Sequence, residues 1–287
     1  MIIVGVWLGL GNQLFQYAYA RNLKEQGYDV VLDTIHPFKD LYTEYKNNDK
    51  RECAIQNLCI TIPMADEREL KEFNYIRKSN IADKVKFEFA RIGLSNHKFY
   101  DETAKHKKEC LIKPYENSYI KGWFQDERYF INIKEILKNE FKPKYLREEL
   151  AEKEKLLKNV DSVFVHVRRG DYVRIHHDLN MAYYRIAIKK MKEKKPNAVF
   201  CVFSDDILWV KNHLDVDAEL IWMNEDRVLK DYEELYLMSK CKSGIISNST
   251  FSWWSAWLMD SQEKTIIAPS KWLPGQENII PVDWMVI

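Results

Sequence analysis

The sequence predicts an α/β protein of two domains. Short apolar runs of strand character alternate along the chain with amphipathic helical stretches, the pattern of α/β architecture. The chain has 287 residues, room for two domains at roughly 150 residues each. A charged, mostly helical stretch from Tyr129 to Lys158, broken at Pro143, separates two alternating series. We place the boundary there, giving domains 1–150 and 151–287.

In the first series, Ile2–Trp7 reads as a buried strand. A glycine turn leads into a helix from about Leu14, with Leu14, Phe15, Ala18, Tyr19 and Leu23 as its apolar stripe. Gly27 stands where a C-terminal cap favours glycine, and Asp29–Leu32 is the second strand. Residues 36–120 are rich in Lys, Asn and Glu, with short apolar islands, and predict irregular insertions and small helices. The second series reads as strand Ser162–Val167, helix Met181–Lys192, strand Ala198–Phe203, helix Asp231–Lys240, strand Ser243–Ile246, helix Ser252–Met259 and strand Thr265–Ala268. No internal repeat or low-complexity linker is visible.

Composition narrows the function classes. Hydrophobic residues are 46% and charged residues 30%, as in a globular chain. The net charge of +1, from 44 basic and 43 acidic residues, predicts neither nucleic acid nor an anionic membrane as partner. Cys53, Cys59, Cys110, Cys201 and Cys241 lack metal-ligand spacing and read as reduced thiols of a cytosolic protein. The apolar start is too short to span a bilayer and lacks the basic residues of a signal peptide.

Four stretches carry chemistry. In Ser247-Asn-Ser-Thr-Phe-Ser252, hydroxyls and Asn248 follow a buried strand at its carboxyl end, where ligands of open α/β sheets bind. Ser249, Thr250 or Ser252 can cap the following helix, whose amino-terminal N–H groups attract anions; simple capping and ligand contact weigh equally. Trp253, Trp254 and Trp257 read as core anchors of that helix. His166-Val-Arg-Arg-Gly-Asp171 follows another strand, and its arginines suit either a phosphate clamp or an ion pair with Asp171. Gly9-Leu-Gly11-Asn12-Gln13 forms a βα turn without the third glycine of a dinucleotide fingerprint, so Asn12 and Gln13 can be ligand contacts or caps. Asp205 and Asp206 follow a third strand. They can cap the next helix or, like Glu234, accept the paired N–H donors of a guanine edge; no third metal ligand accompanies them.

Together, GLGNQLFQYA at 9–18, KGWFQDERYF at 121–130, HVRRGDY at 166–172, FSDD at 203–206 and LYLMSKC with NSTFSWWSAWL between 235 and 258 resemble the α-1,2-fucosyltransferases of glycosyltransferase family 11. The resemblance implies a GT-B-like architecture, two Rossmann-like domains facing a central cleft. It also implies an inverting reaction that passes L-fucose from GDP-β-L-fucose to the 2-hydroxyl of a terminal galactoside. The first domain would supply most of the acceptor side and the second would hold the donor. No cofactor and no metal are implied, GDP-fucose being a co-substrate.

By position, Arg168, His166, Asn12 and Asp171 would be catalytic. Gly11, Asn12, Gln13, Arg168, Arg169, Asp205, Asp206, Glu234, Asn248, Ser249, Thr250 and Phe251 would bind the donor. His166, Asp171, His176 and His177 are candidate bases. Two departures stand out: Leu8 occupies a position where the family usually has glycine, and Glu234 one where it commonly has aspartate. The acceptor is expected to be a galactoside-terminated oligosaccharide or lipid-linked glycan, and the protein a bacterial cytoplasmic enzyme with at most peripheral membrane association. Transfer of another GDP-sugar, and non-catalytic binding of a nucleotide sugar or glycan, are the competing readings.

Overall fold

A computed structural model describes residues 1–38, 52–72, 82, 85, 89, 98–102, 116–226, 228–272 and 279–287. The chain divides into two units, Met1–Phe141 and Lys142–Ile287.

In the first unit, strands Ile2–Gly5 (β1), Val30–Asp33 (β2), Lys98–Asp101 (β3) and Ser118–Lys121 (β4) form a parallel sheet in the order β2-β1-β4-β3. Its described helices of α type include Leu10–Glu25 (α1), Glu67–Glu72 (α2) and Lys134–Glu140 (α3). Helix α1 begins four residues before the expected start, because Gly9 takes the extended N-cap conformation and the turn itself is helical. Its apolar stripe is buried as expected, with Phe15 packed against Phe130 and Tyr19 stacked on Phe124 at 4.0 Å. Gly27, just past the helix, has φ +90°, which a side chain would strain.

Strands β3 and β4 lie in the stretch expected to be irregular. Strand β4 escapes a periodicity reading because polar groups occupy its buried positions. Ser118 is fully buried, and the Tyr119 hydroxyl donates to Asp33 Oδ2 at 2.9 Å.

The described residues of the second unit form six parallel strands: Asp161–Val167 (β5), Ala198–Ser204 (β6), Leu220–Trp222 (β7), Ser243–Ile245 (β8), Ile266–Ala268 (β9) and Met285–Val286 (β10), in the order β10-β9-β8-β5-β6-β7. The central strands β5, β6 and β8 are buried on both faces and mostly apolar, with Ser162, His166 and Ser243 as buried polar residues among them. Helices Glu148–Asn159 (α4), Gly170–Arg174 (α5), Met181–Lys194 (α6), Ile207–His213 (α7), Asp231–Ser239 (α8) and Thr250–Trp257 (α9) complete the unit. Tyr184, Ile188 and Met191 of α6 join Val163, Val165, Phe200, Val202, Ile245 and Ile267 in one core. Burying each such side chain contributes roughly 1.5–3 kcal/mol.

The three tryptophans of α9 are core, as read from the sequence. Trp253, Trp254 and Trp257 are buried, and the Trp253 indole N–H donates to the Ile279 carbonyl at 2.7 Å. They anchor the helix by packing and by this hydrogen bond. Cys53, Cys59, Cys201 and Cys241 form no disulfide, and Cys110 lies outside the described residues. Among the described residues no helix is long and apolar enough to cross a membrane.

Candidate functional site

The register of the second sheet assembles the site. Val167 pairs with Ser204 across β5 and β6, and Val165 pairs with Ile245 across β5 and β8. The three strands therefore run out side by side, bringing Arg168 to Asp205 and His166 to Ser247. His166 is buried, with Nδ1 3.1 Å from Ser247 Oγ, which lies 3.2 Å from Ser252 Oγ. Burial, followed by the Arg168 charge, lowers the imidazole to about 3. The ring is thus a neutral hydrogen-bonding group and a poor proton acceptor at neutral pH.

Each arginine of the motif faces two carboxylates. Arg168 Nη2 donates to Asp171 Oδ1 at 2.6 Å, and Nη1 lies 2.8 Å from Asp205 Oδ2. Burial opposes its charge, but Asp205 and Asp171 raise its pKa above the ordinary value. Arg169 Nε donates to Asp206 Oδ2 at 3.2 Å, Nη1 is 3.7 Å from Asp178 Oδ2, and the guanidinium lies over the Trp209 ring. The ion pair with Asp171 is therefore present, but it is one of four. Asp205 and Asp206 turn toward guanidinium groups instead of capping α7: Asp206 is the N-cap residue of that helix yet makes no side-chain cap bond. Among the described residues no group of three or more His, Cys, Asp or Glu side chains is placed to hold a metal.

At the start of α9, Ser249 is the cap, its hydroxyl accepting from Phe251 N at 3.4 Å, and the Phe251 ring lies 5.4 Å from that of His166. Thr250 is the first residue of the helix. Asn248 Nδ2 donates to the His177 carbonyl at 2.9 Å, which fixes the amide orientation. Its Oδ1 is buried with no partner among the described residues. That atom can only accept, so it suits an N–H or O–H of a ligand and not a phosphate oxygen. His176 is exposed and His177 half-buried.

Glu234, on α8, accepts from Asn224 Nδ2 at 2.6 Å. Burial raises its carboxyl to about 7, with the nearby Asp231 and Asp205 charges adding to the rise. The acid is poised between protonation states, so it can donate or accept toward a ligand.

In the first unit, the turn residues divide. Gln13 is fully buried; Nε2 donates to the carbonyls of Leu8 and Glu52 at 2.6 and 2.8 Å, and Oε1 accepts from Ile55 N. Its amide holds the turn, both N–H groups and the oxygen being engaged by neighbouring backbone in the interior, a structural part beside the expected donor contact. Gly11 is likewise buried inside the first turn of α1. Asn12 is half-buried and accepts from Gln125 Nε2 at 2.7 Å.

Sequence reasoning missed Trp209, Asp178 and Asn224. Trp209 follows FSDD in Ile207-Leu-Trp-Val210, where it reads as helix filling; nothing in that run signals an arginine platform.

Two parallel α/β units give this chain a fold of the GT-B kind. The structure of a mutant of Arabidopsis thaliana FUT1 in complex with GDP superposes with a TM-score of 0.55 at 12% identity, covering 92% of this chain and 69% of that one. The sequence profile of Glycosyl transferase family 11 matches residues 1–284, and the chain belongs to that family. It is 33% identical to an Escherichia coli alpha-1,2-colitosyltransferase, over 94% of this chain and 91% of that protein. It is 30% identical to the O-antigen biosynthesis glycosyltransferase WbnK of Escherichia coli, over 94% of both. A galactoside alpha-(1,2)-fucosyltransferase 1 from Leontopithecus chrysomelas is 27% identical over 40% of this chain and 33% of its own length.

Proposed function

We propose that the protein transfers L-fucose from GDP-β-L-fucose to the 2-hydroxyl of a terminal galactoside, with inversion to an α-1,2 linkage and without a metal. The observation that carries this reading is the arginine pair at the carboxyl edge of the second sheet, in a chain of family 11. As the bond between fucose and phosphate breaks, negative charge develops on the β-phosphate. Arg168 and Arg169, with the amino terminus of α9, are preorganised cationic partners for it. Each such interaction contributes about 3–4 kcal/mol in the transition state. The carboxylates that a metal would use face guanidinium groups, in keeping with metal-free chemistry.

Asn248 Oδ1 then accepts a hydroxyl of the donor, and Glu234 reads the N–H edge of the base. His166 stays neutral and orients Ser247 and the start of α9. Asp171 acts as an orienting anion for Arg168. An oxocarbenium-like carbon accepts a weak nucleophile, so the acceptor hydroxyl needs no strongly basic side chain.

Transfer of colitose is the second reading, favoured by the likeness to the alpha-1,2-colitosyltransferase over nearly the whole chain. The test measures GDP release from GDP-fucose and GDP-colitose in EDTA, with and without lactose, on the wild type and Arg168→Ala. Acceptor-dependent release that survives EDTA and collapses in the variant supports the reading. Preference for GDP-colitose moves the assignment to colitose, and binding without release on a wide set of acceptors returns the protein to a binding role.

A further inference from the structure

Asp205 stands between the two loops that define the site. It follows β6, yet both its oxygens bond to the loop after β5. Oδ1 accepts from the backbone N–H of Arg169 at 2.9 Å, and Oδ2 lies 2.8 Å from Arg168 Nη1. One carboxylate thus fixes the backbone that carries Arg168 and the guanidinium at the end of its side chain. The next residue of the loop leaves room for it: a Cβ on Gly170 would lie 2.7 Å from Asp205 Oδ2 and 3.4 Å from its Cγ. Real Cβ atoms do not come that close, so any side chain at 170 pushes this carboxylate aside. Gly170 opens α5 without a positive φ, so its missing side chain answers to the carboxylate and not to backbone conformation.

We propose that Asp205 is a positioning residue for Arg168, and that residue 170 is glycine because Asp205 lies against it. This is a role within the protein, each oxygen holding one group of the loop after β5, and it needs no contact with the nucleotide. It also explains how a largely buried guanidinium is held at one place before any diphosphate arrives: Asp205 and Asp171 grip it from two sides. The catalytic consequence rests on the proposed use of Arg168 against the leaving diphosphate. The positioning itself does not.

The experiment compares Asp205→Asn, Asp205→Ala, Gly170→Ala and the Gly170→Ala/Asp205→Ala pair with wild type, with two readouts. The first is steady-state turnover of GDP-fucose together with GDP affinity by calorimetry. Asp205→Ala is expected to lower kcat by about 10²-fold, the loss typical of a catalytic group displaced by an ångström, with GDP affinity changed less than about threefold. Asp205→Asn keeps the bond from Arg169 N–H but loses the charge facing Arg168, and is expected to follow Asp205→Ala. Gly170→Ala, which leaves every charge in place and suits a helix start, is expected to lower kcat in the same direction. The double variant should be no worse than Asp205→Ala, because the two changes remove one arrangement.

The second readout is the 15N resonance of the Arg168 side chain in the free protein. Restricted guanidinium rotation is expected in wild type and lost in both Asp205 and Gly170 variants. Wild-type kcat in Gly170→Ala, additive effects in the double variant, or a GDP affinity that falls as far as kcat overturns the proposal. If Arg168→Ala turns over like wild type while the 15N signals behave as expected, the catalytic reading of Arg168 fails and the positioning role stands.

Discussion

The side-chain amide of Gln13 donates to the carbonyl oxygen of Leu8 at 2.6 Å, and Leu8 sits at φ +70°, in the left-handed region. The bond locks the turn between β1 and α1 in a conformation that a branched side chain resists. Leucine at this position costs about 1–2 kcal/mol relative to a residue free of the Cβ clash. Leu8→Gly is expected to stabilise the protein by about 1 kcal/mol after the added unfolded-state entropy of glycine is set against it. Leu8→Val is expected to destabilise it. Urea midpoints of the two variants decide this; a Leu8→Gly midpoint below wild type would show that the leucine side chain packs for more than its backbone costs.

Glu140 is a second buried anchor of the first unit. It accepts from Arg21 Nε at 2.9 Å, from Thr61 Oγ1 at 2.8 Å and from the Tyr17 hydroxyl in a short bond, joining α1, α3 and the chain at residue 61. Removing one partner of a buried charge pair strands the other. Glu140→Ala is expected to cost about 3–5 kcal/mol, whereas Glu148→Ala, on the exposed start of α4, should stay within about 0.5 kcal/mol. Denaturant titration of both variants measures the difference.

The half-buried carboxyl of Glu234 makes stability fall as pH rises. Its folded-state pKa is raised from 4.5 to about 7, so between those values the native chain holds a proton that the unfolded chain releases. The stabilisation is complete below about pH 4.5 and is lost through about pH 7, on the order of 3 kcal/mol in all. Glu234→Gln should flatten this slope. Midpoints at about pH 5 and about pH 8 check it, and an unchanged slope in the variant would mean that Glu234 titrates normally.

His166 works in the opposite sense. Its folded-state pKa is lowered from 6.5 to about 3, so below pH 6.5 the unfolded chain takes up a proton that the native chain refuses. Stability from the neutral ring is present above pH 6.5 and is lost progressively as pH falls toward 3. Between 4.5 and 6.5 this slope opposes that of Glu234, so the two show only when each residue is replaced alone. His166→Asn should reduce acid sensitivity, and the pH profile of kcat should carry no limb from an imidazole. A profile limb near pH 6.5 that disappears in His166→Asn would overturn the neutral assignment.

How far the sequence spoke for the fold follows from where polar groups lie. Strands β5, β6 and β8 are mostly apolar runs ended by the residues that form the site, so both strands and site edges could be read, to within a residue or two. Strand β7 is short and only half-buried, and β4 carries Ser118 and Tyr119 into the interior, so neither gives a strand pattern. For the site, residue types were legible and pairings were not. Two arginines and two later aspartates announce charge, but only the β5–β6 register shows that Asp205 meets Arg168 while Asp206 meets Arg169. Gln13 read as a ligand contact because an amide at a βα turn has two uses, and the sequence does not show that the chain at Glu52 and Ile55 returns to engage it.

Trp209 supplies the last prediction. The Arg169 guanidinium lies 3.2 Å from the centre of its ring, while the His213 ring stacks nearly parallel to that indole at 3.8 Å. A planar, weakly hydrated guanidinium gains from such a face in a way that a compact ammonium does not. Trp209→Leu keeps apolar volume but removes the π face, and should weaken GDP binding by a few-fold, matching about 0.5–1 kcal/mol for a partly exposed cation–π contact. Arg169→Lys keeps the charge but loses both the stacking and the fork toward Asp206, and should lose more. Calorimetry of GDP binding ranks the two. Equal affinities in wild type and Arg169→Lys would mean that only the charge at position 169 matters and that the tryptophan platform is packing.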